Sequence, residues 1–504
     1  MNGTMCERTI RAVWEQQVSA RPDAECMTWI DVDNQRSVSF TYREFDKQVN
    51  QIANVLVQEY RIAKGDRVAL VMGNSVHFVR WLLAVSKIGA VVVPMALTLT
   101  QSEYTFLLSS SEPELVVVCE EAQIDLPDSC QATAISTITS RAITMPDELQ
   151  EQREIRESDL AQIMYTSGTT QCPKGVMLTH ANFVFSGFYV NWQLAMCPED
   201  RYFTSMLATH VNFQLSAMMP CFTIGASLVF ASRYSASRFW KHVIEHRATL
   251  VQSMAMIART MMAQPVDPHE RDHSVRFVHY FLPMTRKEKE VYEERFGIEL
   301  INNYGLTETL VGVITDVPYG AHRWPSIGIE GLGYEAQIRR EDGTVASPNE
   351  TGEIFIRGIA GYTLLAGYWN DPVATEKVLS DGWFATGDIG YQDDDGYFYF
   401  LDRANQVIKR SGENISALEV EAVLRDSTRI RDVAVVGVED PIYDQVVKAV
   451  VVPDDESLTR QEVIDFAALN LAHFKVPEIV EFRQEIPRGL YGKVLTQQLR
   501  DEAK

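Results

Sequence analysis

Cysteine is scarce and scattered. The seven are Cys6, Cys26, Cys119, Cys130, Cys172, Cys197 and Cys221 in 504 residues, and none lies beyond Cys221. The count is odd and no two stand at CxxC spacing, which excludes a disulfide framework and a cysteine-built zinc site and fits a reduced, cytoplasmic setting. Long apolar runs are also lacking. The longest, from Ala90 to Leu97, has the length of a strand rather than a membrane span. Met1 to Val13 carries charges throughout, so no secretory signal is expected there. Basic residues are in the minority: 46 Lys and Arg face 68 Asp and Glu, for a net charge of −22. That balance argues against non-specific nucleic-acid binding, which needs basic surface. It leaves nucleotide binding open, because a few local cations and backbone N–H groups can hold phosphates in an acidic protein.

What remains is an ordinary globular composition, 46% hydrophobic and 23% charged, in a chain long enough for two or three domains. Thr41-Tyr-Arg-Glu44 reads as a capping box opening a helix with Phe45, Val49, Ile52, Ala53 and Leu56 on one face. A strand over Arg67–Met72, a helix over Val79–Ile88 and a strand over Ala90–Pro94 follow. Further apolar strands are expected at Leu115–Cys119, Ala161–Tyr165, Ser227–Phe230 and Thr249–Gln252. This strand–helix rhythm predicts an α/β fold of helix-covered sheets. The pattern changes near residue 400. Short strands at Gly352–Arg357 and Gly396–Phe400 give way to a tail with capping boxes at Ser416–Glu419 and Thr459–Glu462. Strands are expected there at Asp432–Val438 and Lys448–Val452, with a last helix running to Phe474. The expected division is a large domain, residues 1–402, and a small α+β domain, residues 403–504.

The segment Tyr165-Thr-Ser-Gly-Thr-Thr-Gln-Cys-Pro-Lys-Gly-Val176 is the richest in chemistry. Thr166, Ser167, Thr169 and Thr170 supply hydroxyl donors around Gly168, where a backbone can approach a ligand closely. Lys174 adds a point charge suited to phosphate. The spacing is not that of a Walker A loop, and a Ser/Thr-Gly loop alone also reads as a polar turn. Tyr304-Gly-Leu-Thr-Glu308 sets an aromatic, a glycine, a hydroxyl and a carboxylate within five residues. Taken alone, Glu308 reads as a solvated charge. Asp388 in its Thr-Gly-Asp turn reads as a turn former or an acceptor. Taken alone, Arg403 reads as a surface ion pair, and Lys493 as a solvated charge.

These segments, with Gly352-Glu-Ile, Gly382-Trp-Phe-x-Thr-Gly-Asp388, Asp402-Arg403, Gly412-Glu-Asn-Ile-Ser and Pro487-Arg-x4-Gly-Lys493, resemble nearly end to end the adenylate-forming superfamily. That superfamily contains acyl-CoA synthetases, adenylation domains and beetle luciferases. The resemblance implies carboxylate activation by ATP with release of pyrophosphate, then acyl transfer to coenzyme A. It implies that Thr166, Ser167, Gly168, Thr169, Thr170 and Lys174 cradle phosphates. Asn303, Tyr304 and Gly305 would lie at the nucleotide, with Tyr304 stacked on adenine. Thr307 would touch the α-phosphate, and Glu308 with Thr169 would hold Mg²⁺. Asp388 and Arg403 would take the ribose hydroxyls. Lys493 would bridge the carboxylate and the α-phosphate, and His210 would stand between the acyl pocket and the pantetheine tunnel. It also implies a mobile tail swivelling at Asn405, where relatives usually carry Asp or Lys, so that Lys409 and Gly412 face the thiol channel.

A narrower resemblance, to carnitine/crotonobetaine-CoA ligases, rests on Tyr234-Ser-Ala-x-x-Phe-Trp240, Arg259-Thr260, Gln264-Pro265, Tyr304-Gly-x-Thr-Glu-Thr-x-Val-Gly312, Arg323-Trp-Pro-Ser-Ile-Gly328 and Phe474-Lys-Val-Pro477. It implies carnitine, crotonobetaine or γ-butyrobetaine as the acid. A trimethylammonium group is suited to an aromatic cradle, for which Trp192, Phe213 and Tyr280 are candidates. Two further departures are visible: Gln171-Cys172 in the phosphate loop, and His279–Pro283 where relatives carry Ser-Gly-Gly-Ala-Pro. The alternatives are a medium- or long-chain fatty acyl-CoA synthetase, an adenylation enzyme loading a carrier protein, and a non-catalytic nucleotide-binding relative. The absence of a fused carrier domain favours coenzyme A. Nucleic acid and an integral membrane segment are not expected, and a luciferase-like oxidation stays open in principle.

Overall fold

The computed structural model describes residues 8–127, 130–166, 173–281, 284–403, 407–410, 413–440, 443–455, 457–488 and 494–501. The expected α/β class holds, with a large N-terminal part of sheets and helices and a smaller C-terminal part. The chain divides into two compact units: Met1–Ala336 with Ile356–Phe384, and Gln337–Phe355 with Ala385–Lys504. The 402/403 division expected from sequence lies inside the second unit, where strand Phe398–Arg403 ends.

The first unit holds a nine-stranded and a seven-stranded sheet. In the nine-stranded sheet, strands Leu300–Tyr304, Phe277–Phe281, Leu250–Met254, Arg201–Thr204, Ser227–Ala231 and Glu25–Asp31 run parallel in that spatial order. Antiparallel strands close both edges. In the seven-stranded sheet, Leu160–Thr166, Val91–Met95, Arg67–Val71, Leu115–Val118 and Ala132–Ala134 are parallel. Lys174–Thr179 adds antiparallel to Leu160–Thr166. Strands buried on both faces read as continuous apolar runs, and every residue of Val91–Met95, Ser227–Ala231 and Phe277–Phe281 is buried.

Helix starts follow their caps. The Thr41–Glu44 box forms in full. The helix expected from Val79 begins at Val76, because the Ser75 side chain accepts the Phe78 N–H and caps it three residues earlier. Further complete boxes, at Thr100, Thr179 and Thr285, open helices that sequence reasoning did not single out.

The second unit ends in a five-stranded sheet in the order Glu413–Ile415, Ile408–Arg410, Asp444–Pro453, Ile430–Asp440, with Ile479–Phe482 parallel to Asp444–Pro453. Side chains alternate across it. Val433, Val435, Ala449 and Val451 meet Val420, Leu424, Val463 and Ala467 on one face. Ala434, Val436, Val450 and Val452 meet Ile486 and Leu499 on the other. Two expectations change in detail. Only half of the Ser416 box forms: its hydroxyl accepts the Glu419 N–H, but the Glu419 carboxylate is held by Lys475 Nζ at 2.6 Å. The last long helix stops at Asn470, since Leu471 is extended and a separate 3₁₀ turn covers His473–Lys475.

Candidate active site

In the first unit, strands Leu160–Thr166 and Lys174–Thr179 pair with Thr166 opposite Lys174. This register places the two ends of the hydroxyl-rich segment side by side. Ser167, Gly168, Thr169 and Thr170, with Gln171 and Cys172, lie outside the described residues. Gly175 is required by packing: a Cβ there would press on Ile163 and on Trp369 at 2.9 and 3.1 Å.

The Lys174 ammonium lies 4.8 Å from the centre of the Tyr368 ring, a cation–π contact. The Tyr368 hydroxyl donates to Glu308 Oε1 at 2.9 Å. Burial, with the Glu308 charge second, holds the Tyr368 phenol well above the usual tyrosine range, so it remains a donor. Lys174 and Glu308, far apart in sequence, therefore share one aromatic ring. Tyr368 itself comes from the two-residue strand Gly367–Tyr368, paired to Val176 and Met177. No motif announces it.

Asn303, Tyr304 and Gly305 sit at the carboxyl end of strand Leu300–Tyr304, the edge of a parallel sheet where ligands are bound. Asn303 is buried and donates from Nδ2 to the Tyr280 carbonyl at 2.7 Å. Gly305 is obligatory, since a Cβ would overlap the main-chain carbonyl of Val311. Thr307 and Glu308 occupy a 3₁₀ turn, Thr307–Thr309. The turn is fixed by the Leu306 N–H donating to Thr309 Oγ1 at 2.8 Å and by the Leu365 N–H donating to the Glu308 carbonyl at 2.9 Å.

His210 caps a short helix, its Nδ1 accepting the Asn212 N–H at 3.2 Å. An accepting Nδ1 puts the proton of the neutral ring on Nε2. Burial pushes the ring down to about 4, so it is neutral at physiological pH. A π-helical turn, Gln214–Met218, follows at once. Such turns gather at functional sites, and this one was not foreseen.

The three aromatic candidates do not gather into one cage. Phe213 packs edge-on against Phe78 and Phe230 in the core. Tyr280 is fully buried beside Trp324, and Trp192 is 39% exposed against Tyr189. His279 is buried too, its Nδ1 2.8 Å from the Tyr202 hydroxyl. Desolvation pushes its ring down to about 3. Leu282 and Pro283 lie outside the described residues.

In the second unit, Asp388 on strand Trp383–Gln392 lies opposite Arg403 in antiparallel register. Asp388 is buried, and Arg403 Nε stands 3.4 Å from its Oδ1. Glu353 Oε1 accepts the Gly387 N–H at 2.8 Å, and Thr386 Oγ1 donates to the Ile354 carbonyl at 2.7 Å. Burial raises the Glu353 carboxyl, and the nearby Asp388 charge raises it further. Asp402 is buried and accepts the N–H groups of Arg403 at 2.8 Å and Ala417 at 2.9 Å. Lys409 lies on strand Ile408–Arg410, opposite Asn414. Gly412 and Lys493 lie outside the described residues. The chain flanking residues 489–493 is drawn together by the Arg488–Val494 bridge and by the Leu495 N–H donating to the Pro487 carbonyl.

Residues 14–369 match the AMP-binding enzyme family, and residues 419–493 match the AMP-binding enzyme C-terminal domain. The chain belongs to this family. It is 40% identical over 481 residues to the crotonobetaine/carnitine–CoA ligase of Proteus mirabilis (strain HI4320), covering 91% of this chain and 93% of that protein. The o-succinylbenzoate-CoA synthetase of Bacillus subtilis, solved with its acyl-adenylate intermediate, is 26% identical with a TM-score of 0.86, over 97% and 98% of the two chains. A fatty acyl-CoA synthetase of Mycobacterium tuberculosis is 28% identical with a TM-score of 0.75, over 98% of each chain. This AMP-binding enzyme is an AMP-forming acyl-CoA synthetase: it uses ATP to activate a carboxylic acid for ligation to coenzyme A. Among the described residues, no helix is long and apolar enough to cross a membrane.

Proposed function

We propose that this AMP-binding enzyme activates carnitine, crotonobetaine or γ-butyrobetaine. The observation that carries the choice of acid is the 40% identity to a crotonobetaine/carnitine–CoA ligase over nearly the whole of both chains. The free thiols at Cys26, Cys119, Cys130, Cys197 and Cys221 accord with a cytoplasmic setting.

The proposed roles start from the phosphates. Thr166, Ser167, Gly168, Thr169, Thr170 and Lys174 cradle them. Tyr304 stacks on adenine, with Asn303 and Gly305 beside it, and Thr307 meets the α-phosphate. Asp388 and Arg403 take the ribose. Glu308 suits Mg²⁺, a hard ion that prefers carboxylate and phosphate oxygens. Its carboxylate is oriented by the Tyr368 hydroxyl, and Thr169 is assigned to the same ion. Bound there, Mg²⁺ would neutralise phosphate charge. Lys493 stabilises charge as the carboxylate attacks the α-phosphate. His210 borders the acyl and pantetheine space. The tail from Arg403 onward then swivels near Asn405, bringing Lys409 and Gly412 to the thiol.

The test is ATP–pyrophosphate exchange across a panel of the three betaines, hexanoate, palmitate and benzoate, followed by mass-spectrometric detection of the CoA thioester. Exchange with the betaines and formation of their thioesters is expected. Exchange only with fatty acids would replace the substrate assignment, and exchange without a CoA thioester would favour a carrier-protein acceptor.

A further inference from the structure

Helix Phe239–Glu245 and its cap residue His246 carry a His242-Val-Ile-Glu-His246 sequence. Residues four apart share a helix face, and so do residues three apart. His242, Glu245 and His246 each offer a ligand atom, and the three atoms lie within 4.8 Å of one another. The two imidazole centres are 6.4 Å apart. His242 is only 9% exposed, and neither of its ring nitrogens has a hydrogen-bond partner. A buried polar group without a partner is uncommon in native structures and calls for an explanation.

We infer that His242, Glu245 and His246 form a binding site for one divalent transition-metal ion of the zinc class. Two imidazoles and a carboxylate match that class in donor type, whereas Mg²⁺ prefers an all-oxygen shell. The site lies at a helix C-terminus, where the backbone dipole favours positive charge. The cations near it are already engaged. Arg201 donates to the His246 carbonyl at 2.6 Å and pairs with Glu25 at 2.8 Å. Arg238 donates to the Val32 carbonyl at 2.7 Å.

Four residues after His246, strand Leu250–Met254 begins. The site therefore stands at the amino edge of the parallel strands of the nine-stranded sheet, while Asn303 and Tyr304 stand at their carboxyl edge. The ion would clip the end of a short helix without entering the nucleotide site.

The experiment uses full-length protein stripped with a chelator and held in saturating Mg²⁺. Zn²⁺ is titrated by calorimetry, and Co²⁺ by visible absorption. One equivalent of Zn²⁺ is expected, with a Co²⁺ band showing histidine ligation and a raised melting temperature. His246→Ala removes a partly exposed side chain at a helix end, so its fold should survive. It should weaken Zn²⁺ binding at least about tenfold, since even outer-shell changes at metal sites cost 10–100-fold. Glu308→Gln should leave the affinity unchanged. The assignment is overturned if wild-type protein binds no Zn²⁺ in Mg²⁺, or if His246→Ala binds it as tightly as wild type.

Discussion

The hydroxyl of Tyr368 donates to Glu308 across 2.9 Å, and the face of the same ring carries the Lys174 ammonium. One side chain thus orients the proposed metal ligand and supports the lysine at the end of the phosphate segment.

Tyr368→Phe keeps the ring and deletes the donor. Hydrogen bonds to charged groups contribute about 1.5–3 kcal/mol, so adenylation should fall roughly tenfold or more. The half-saturating Mg²⁺ concentration should rise, because Glu308 loses its orientation. Pyrophosphate exchange measured against Mg²⁺ checks this, and an unchanged Mg²⁺ curve would count against a role for Tyr368.

Lys493→Ala should lose roughly 10²-fold in pyrophosphate exchange, by comparison with removal of one preorganised donor at a transition state. Thioester formation from supplied acyl-adenylate should stay near wild type. Wild-type exchange in this variant would sink the assignment.

Gly305→Ala forces a methyl group into the Val311 main chain, which cannot swing aside as a side chain would. Overpacking of this kind costs about 3 kcal/mol. The melting temperature of the chain should drop and ATP binding should fail, as read by calorimetric scanning and nucleotide titration. Full stability with intact ATP affinity would show that the turn has room.

Burial pushes the Asp402 carboxyl up to about 6. Since the folded value lies above the ordinary aspartate value near 3.9, its contribution to stability is fully present below about pH 4. It is lost as pH rises through about 6, a swing on the order of 2–3 kcal/mol. Asp402→Asn should abolish this share of the slope. Urea unfolding of both proteins from pH 4 to 7 decides it, and parallel curves would remove Asp402 as the titrating group.

Much of the fold was legible because its signals are local. The Thr41 and Thr459 boxes form as their spacing implies, and apolar runs such as Ser227–Ala231 are buried strands. What escaped was set by partners distant in sequence. Lys475 takes the Glu419 carboxylate that would have completed the Ser416 box. Strand Phe398–Arg403 extends to Arg403 through its pairing with Trp383–Gln392, while Gly396 turns with φ +87°. At the site, Glu308, Thr307, Asp388 and Arg403 were visible as motif residues. Tyr368 and Glu353 were not assigned roles, since each acts through a contact made only once sheets have formed. The aromatic cradle failed for a related reason: ring type says nothing about which side of a strand faces a ligand. Phe213 and Tyr280 were claimed by the core.

Asp402 lies before the proposed swivel at Asn405, and Ala417 lies after it. The Ala417 N–H bond to the Asp402 carboxylate, with the Ser416 hydroxyl donating to the Leu401 carbonyl at 2.7 Å, therefore spans the pivot like a latch. If the tail turns as proposed about Asn405, which lies outside the described residues, both bonds are placed to resist that turn. Under that proposal their loss would oppose the turn and favour discrete positions over a gradual drift.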